Sequence, residues 1–182
     1  LSPMAEAFRI LITNMNFMLP KKKGKVVFVT STVKGEGKTF VSVNLALTLA
    51  SPSKKTIIIG SDIRNPQLQR YNTARKGLIG LTEYLNDENV KLEEIVHPSS
   101  FNKNLDVIYS GSIPPNPTDL LSNGKYETLV ETLKEKYDYI ILDTAPLMLV
   151  TDSFLISEVA DITLYVTRSK YTEKSLIDFA NK

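Results

Sequence analysis

The sequence contains no cysteine, which excludes disulfides, zinc–thiolate centres and a cysteine nucleophile. That absence agrees with a cytosolic setting. It has a single histidine, His97, placed before Pro98 with no ligand-type partners around it, so no metal or acid–base role is expected there. No apolar run is long enough to cross a bilayer, and no signal peptide is visible. Excess charge is also missing. With 22 Lys+Arg against 20 Asp+Glu the net charge is +2, which gives no argument for a nucleic-acid partner. The first residue is Leu1 rather than Met, so the expectation is a piece of a longer chain whose membrane anchor lies outside it.

What is present is the balance of a globular domain. Hydrophobic residues make up 42% and charged residues 23% of 182 positions, enough for one domain with a full core. The expected division is an N-terminal helix within 1–20 and a single core over 21–182. Short β-branched runs alternate with helix-period segments. Strands are expected at Lys25–Thr30, Lys55–Gly60, Asn104–Gly111, Tyr137–Thr144 and Ile162–Thr167. Helices are expected at Met4–Met18, Lys38–Ala50, Gly80–Asp87, Leu92–Val96, Lys125–Lys136, Asp152–Val159 and from Thr172 to the end. In the second of these, Phe40, Val43, Leu47 and Ala50 form the expected apolar face. Five apolar strands alternating with helices predict an α/β fold, a doubly wound, mostly parallel sheet covered on both faces. Ligands in such folds sit beyond the carboxyl ends of the strands. No internal repeat or low-complexity segment is present.

Three segments at strand ends carry chemistry. The first is "TSTVKGEGKTF" (Thr30–Phe40), between a buried strand and a helix. It holds the "GKT" end of the pattern G-x-x-x-x-G-K-[ST], with Thr32 where the first glycine would stand. Gly35 and Gly37 let backbone N–H groups turn toward phosphate oxygens, Lys38 reaches the β/γ-phosphates, and the Thr39 hydroxyl can ligate Mg²⁺. The helix N-terminus adds its positive dipole end. Lys34, Gly35, Glu36, Gly37, Lys38, Thr39 and Phe40 are thus the expected nucleotide contacts. The plainer reading is a glycine turn with no ligand.

The second segment, "YIILDTAP", ends an apolar strand in Asp143, where a P-loop nucleotide needs a carboxylate near its metal. The plainer reading is a strand-end cap. The third, "IIIGSDIRNP", places Asp62 and Arg64 after another strand. Chemistry alone leaves Asp62 open between a metal contact and proton acceptor and one half of a surface Asp–Arg pair.

Together these segments resemble the bacterial tyrosine kinases, the cytoplasmic kinase domains of capsule and exopolysaccharide export proteins, which sit near the MinD and ParA ATPases. "STVKGEGKT" is similar to the family's phosphate loop with Lys34 in place of proline, "IIIGSDIR" to its D-x-D-x-R motif, and "IILDTAP" to its third motif. "GSIPPNPTDLLSN", "GLTEYLND" and "TRSKYTEKS" add to the likeness, which spans nearly the whole chain. The signature lysine of the MinD group falls at Val33 here, so the kinase branch is favoured. The resemblance implies an ATP- and Mg²⁺-dependent tyrosine (auto)kinase that regulates polysaccharide polymerisation and export. Lys38, Asp62 and Asp143 would be catalytic, Thr39, Asp62 and Asp143 would hold the metal, and Arg168 would lie at the nucleotide. It implies a cytoplasmic domain of an inner-membrane protein with a membrane activator. Its acceptor is expected to be its own C-terminal tyrosine tail or a neighbouring subunit. The alternatives are a MinD-like ATPase switch and a non-catalytic nucleotide-gated assembly module.

Three departures bear on those implications. Gly60 stands where the family has the first aspartate of D-x-D-x-R, so a weakened site that Gly60→Asp would strengthen is expected, unless the loop has adapted around glycine. The ring-forming pattern E-x-x-R-x-x-R is kept at Glu6 and Arg9 but lost at Ile12, expected on the same helix face, so ring assembly is expected to be weak. The chain ends at "DFANK" with no tyrosine cluster. Among smaller features, "PKKKGK" reads as a solvated loop rather than a lipid or partner contact, and "PPNP" as a rigid loop near the nucleotide. Tyr126, Tyr137 and Tyr139 read as packing residues.

Overall fold

The computed structural model describes residues 2–31, 37–72, 78–146, 159–168 and 175–181. Helix α1, Pro3–Met18, opens with Ser2 as its cap, the hydroxyl accepting the N–H of Ala5, and with proline in its first turn, where a missing N–H costs nothing. Strand β1 is Lys25–Ser31 and helix α2 is Lys38–Leu49. Strand β2, Thr56–Gly60, leads to a short 3₁₀ turn at Leu68–Tyr71. Then come α3 (Leu81–Asn86), α4 (Leu92–Ile95), β3 (His97–Pro98), β4 (Leu105–Ile108), α5 (Pro117–Ser122), α6 (Lys125–Lys134), β5 (Tyr139–Asp143), β6 (Ile162–Arg168) and β7 (Ser175–Asn181).

The strands form one sheet in the order β3-β4-β2-β5-β1-β6-β7. The central five pair in parallel, and only the outermost strands β3 and β7 run antiparallel. Successive side chains alternate between the two faces. Val27, Val29, Ile58 and Ile141 pack with α1 and α2 on one side, while Phe28, Ile57, Ile59, Ile140 and Leu142 pack with α3 and α6 on the other. Both faces are therefore covered, as the continuous apolar runs require.

The expected helix from Thr172 onward is not formed. Ser175–Asn181 is β7, registered against β6 from Arg168↔Ser175 to Ile162↔Asn181. "SLIDFAN" suits either period, and the open edge of β6 offers ladder partners that outweigh local preference. Strand β3 was missed because two residues carry no periodicity, and Pro98 is tolerated there because the strand lies at an edge. The expected helix Asp152–Val159 lies outside the described residues, apart from Val159 itself. Of the expected apolar face of α2, Val43 and Ala50 are buried and Leu47 packs against the core, joined by Lys38, Val41, Ser42, Leu45, Ala46 and Leu49; Phe40 alone departs from it. Phe40 points outward and is 45% exposed, because Lys38 turns inward and residue 40 then falls on the opposite side of the helix. On α1, Ile12 is half-buried against the core and does not share the exposed face of Arg9. Arg9 pairs with Glu6 of its own helix at 2.7 Å.

Candidate nucleotide site

The sheet order sets β2, β5 and β1 side by side, so their carboxyl ends bring Asp62, Asp143 and the glycine loop to one edge. Gly37 caps α2 at φ 80°, a left-handed conformation that favours glycine. The next residue, Lys38, is 7% exposed and sends its Nζ to Asp143 Oδ1 at 2.9 Å. Asp143 closes β5 at 1% exposure. Its Oδ2 accepts the Thr39 hydroxyl at 2.8 Å. A buried carboxylate must be paired or neutralised, and this one is held by a cation and by hydroxyls.

One of those hydroxyls was not anticipated. Ser42 Oγ lies 2.9 Å from Asp143 Oδ1 and 3.0 Å from the Lys38 carbonyl, and donates its one proton to either. The signal was available, since Ser42 is four residues beyond Lys38 on the inward face of α2. The backbone beyond Asp143 is tied to β1, with the N–H and hydroxyl of Thr144 both donating to the Val29 carbonyl and the Thr30 hydroxyl donating to the Ala145 carbonyl.

Asp62 is 4% exposed, so it is not half of a surface pair. Its Oδ1 accepts the N–H of Asn65 at 2.9 Å, whereas Arg64 is exposed and donates to the Thr118 hydroxyl at the start of α5. Burial raises the Asp62 pKa above its ordinary value. The Asn65 N–H and the Lys38 charge oppose that rise, and the Asp143 charge adds to it. Asp62 and Asp143 thus feel each other and share the Lys38 field.

Gly60 sits opposite Asp143 in the β2–β5 register. A Cβ there would lie 2.5 Å from Ser110 Oγ, 3.0 Å from Ser110 N and 3.2 Å from Leu68 Cδ2. Ser110 Oγ is not free to swing away at no cost, because it donates to the Gly60 carbonyl at 2.7 Å. The expectation that an aspartate at 60 would strengthen the site is therefore corrected in favour of an adapted loop. Tight packing against the segment after β4 is what demands glycine. That segment is itself clamped by Glu83, which accepts the N–H groups of Gly80 and Ser112. Burial would raise the Glu83 pKa, but the hydrogen bonds from Ser112 and Gly80 outweigh it and hold the carboxyl below its usual range. Pro114 is buried and Pro117 begins α5, so "PPNP" is a rigid connection beside the end of β2.

Thr39, Asp143 and Asp62 supply hard oxygen donors next to a cation, which suits Mg²⁺ shared with phosphates. Among the described residues no group of three or more His, Cys, Asp and Glu side chains could hold a metal ion. Of the expected contacts, Gly37, Lys38, Thr39, Asp62 and Asp143 gather here. Phe40 lies beside them, facing outward. Lys34, Gly35 and Glu36 lie outside the described residues. Arg168 ends β6, and its side chain lies outside the described part.

Known proteins resemble this chain in sequence and in fold. The model of the AAA domain family matches residues 24–179. The tyrosine-protein kinase CpsD of Streptococcus agalactiae (strain NEM316) is 36% identical over 177 residues, covering 97% of this chain and 75% of that protein. The kinase domain of the Escherichia coli tyrosine kinase ETK superposes with a TM-score of 0.82 at 30% identity, over 90% of this chain and 63% of that one. The septum site-determining protein MinD from Pyrococcus horikoshii, solved with Mg-ADP, shares the fold with a TM-score of 0.67 at 22% identity, over 82% and 60% of the two chains. The fold and the buried Lys38–Asp143 cluster define a P-loop nucleotide-binding protein. Within that class, the chain belongs to the bacterial tyrosine-protein kinases.

Two consequences can be measured. Gly60→Asp should lower the urea midpoint and leave turnover no higher at any Mg²⁺ concentration, because Ser110 and Leu68 must move. A stable, faster variant would contradict the packing account. The second concerns pH. Below 3.8, the ordinary value, Asp62 is protonated folded or unfolded. As pH rises through the window up to its raised folded value, the unfolded chain releases the proton first, and stability is lost. Asp62→Asn should therefore melt higher than the parent at pH 7, with the advantage shrinking as pH falls from the raised folded value toward 3.8 and gone below it. Equal melting temperatures at pH 7 would show that Asp62 carries no such cost.

Proposed function

We propose that this chain binds ATP with Mg²⁺ through the Lys38–Thr39–Asp143 cluster and transfers the γ-phosphate to a tyrosine hydroxyl. The observation that carries the reading is the position of Lys38. It is a buried cation that already pairs with the strand-end carboxylate, at a helix N-terminus where phosphates bind.

In this reading Lys38 and the loop amides neutralise and orient the phosphates, while Thr39 and Asp143 hold the cation. Bound Mg²⁺ would supply charge neutralisation at the phosphate oxygens. Asp62, whose affinity for protons is raised by burial, accepts the proton of the tyrosine hydroxyl as the new oxygen–phosphorus bond forms and the bond to the departing ADP breaks. Positioning and electrostatics provide most of the rate, as is general for phosphoryl transfer. Arg168 and the 34–36 amides complete the nucleotide contacts. The acceptor is a tyrosine tail of the same protein or a neighbouring subunit, and a membrane activator belongs to the full assembly. The biological setting is the control of capsule or exopolysaccharide polymerisation and export. Among the described residues no helix is long and apolar enough to cross a membrane.

Labelled γ-phosphate tests the reading. The parent should label tyrosine on an acceptor peptide or tail, and Lys38→Met should abolish labelling. The same variant leaves Asp143 without its cation and should lose about 3 kcal/mol of stability or more, so its folded fraction must be measured alongside. Asp62→Asn, which keeps the cluster intact, should slow labelling roughly 10²-fold or more. Phosphate release without labelled tyrosine would favour the ATPase switch, and binding without either would favour the assembly module.

A further inference from the structure

The opposite end of the sheet has a character of its own. The residues that enter the parallel strands are strung into one row by backbone bonds: Asp161 N–H to Val26, Lys25 N–H to Asp138, Asp138 N–H to Lys55 and Thr56 N–H to Asn104. That row and its margins carry nine lysines. The run 21–25 contributes four, Lys54 and Lys55 precede β2, Lys103 precedes β4, and Lys134 and Lys136 precede β5. Seven of the nine are exposed.

Five carboxylates share this end, leaving a surplus of four positive charges. Three of the five are turned inward: Asp138 accepts the Lys55 N–H, Asp161 accepts the Val26 N–H and pairs with Lys22 at 3.2 Å, and Asp106 accepts the Tyr137 hydroxyl. Since the whole chain carries only +2, the basic charge is concentrated here.

Two aromatics project at the same end. Phe17, 85% exposed, sits in the last turn of α1, where Asn16 accepts the Tyr139 hydroxyl and fixes that turn beside β5. Phe101, 59% exposed, sits in the loop before β4, which Asn102 ties to the last carbonyls of α2. A broad row of lysines flanked by protruding aromatics matches an anionic lipid surface, where lysines face head groups and aromatic rings enter the interface. Duplex nucleic acid would use the lysines but gives the phenylalanines nothing to enter.

We propose that this end of the sheet is a docking face for anionic membrane lipid. Bound this way, the nucleotide site at the opposite strand ends points away from the bilayer, accessible to its acceptor. The inference is independent of the phosphotransfer reading and is tested without it.

The experiment is co-sedimentation of the chain with phosphatidylglycerol–phosphatidylcholine vesicles and with phosphatidylcholine alone. Binding is expected only to the anionic vesicles, and should be lost in high salt as screening shortens to a few ångströms (about 3 Å at 1 M). Lys21→Glu with Lys23→Glu, which spares the Lys22–Asp161 pair, should weaken binding about 25-fold or more. Phe17→Ser, at a largely exposed position, should weaken it several-fold while leaving the fold intact. Absence of anionic-vesicle binding would overturn the proposal, as would equal binding to phosphatidylcholine, variants that bind like the parent, or retention by duplex DNA in place of vesicles.

Discussion

The buried ion pair between Lys38 and Asp143 is the constraint around which the rest is arranged. Each charge taken out of water costs several kcal/mol, repaid only by close geometry and further hydrogen bonds. Here the distance is 2.9 Å, and Thr39 and Ser42 bind the same carboxylate. The pair joins the first turn of α2 to the end of β5, across the sheet edge where β1 and β2 also finish. It needs Gly37 in its left-handed conformation to start the helix there, and it turns Phe40 to the outside. It also places Asp62 in a field with one positive and one negative neighbour, which with burial sets that residue's proton affinity. A phosphate is the natural substitute for Asp143 as partner of Lys38, so the cluster is self-satisfied alone and ready to exchange partners.

Much of this was legible in the sequence. The apolar runs "VVFV", "TIII" and "YIILD" gave the central strands because buried parallel strands need no alternation. "GEGKT" and the strand-end aspartates marked the site because charges at the ends of such runs need a reason. What escaped depended on contacts between distant segments. The tail "SLIDFAN" has a pattern that suits a helix, and only the open edge of β6 decides for a strand. Ser42 looks like a helix filler until the inward face of α2 is known. Gly60 reads as a missing carboxylate, whereas Ser110 and Leu68 leave no room for one. Ile12 reads as a lost arginine on the face of Arg9 but lies half-buried against the core.

The parallel sheet also gives the molecule two unlike ends. At the carboxyl ends, hydroxyls, carboxylates and one inward lysine form a compact, buried polar site. At the entry ends, lysines and two phenylalanines face solvent, and two of the carboxylates there, Asp138 and Asp161, are spent on backbone N–H groups. The same topology generates both, because parallel pairing gathers all strand starts on one side and all strand ends on the other. The run 21–25, which reads in isolation as a solvated loop, becomes part of a wider surface once β2, β4 and β5 bring their own lysines beside it.

The claim that Lys38 changes partner is tested most directly by a crystal structure of the chain with ADP and Mg²⁺. The account predicts that Lys38 Nζ leaves Asp143 for the β-phosphate, while Asp143 stays anchored by Ser42 and faces the cation with Thr39. A nucleotide bound with the Lys38–Asp143 pair still at hydrogen-bond distance, or bound away from α2, would contradict it.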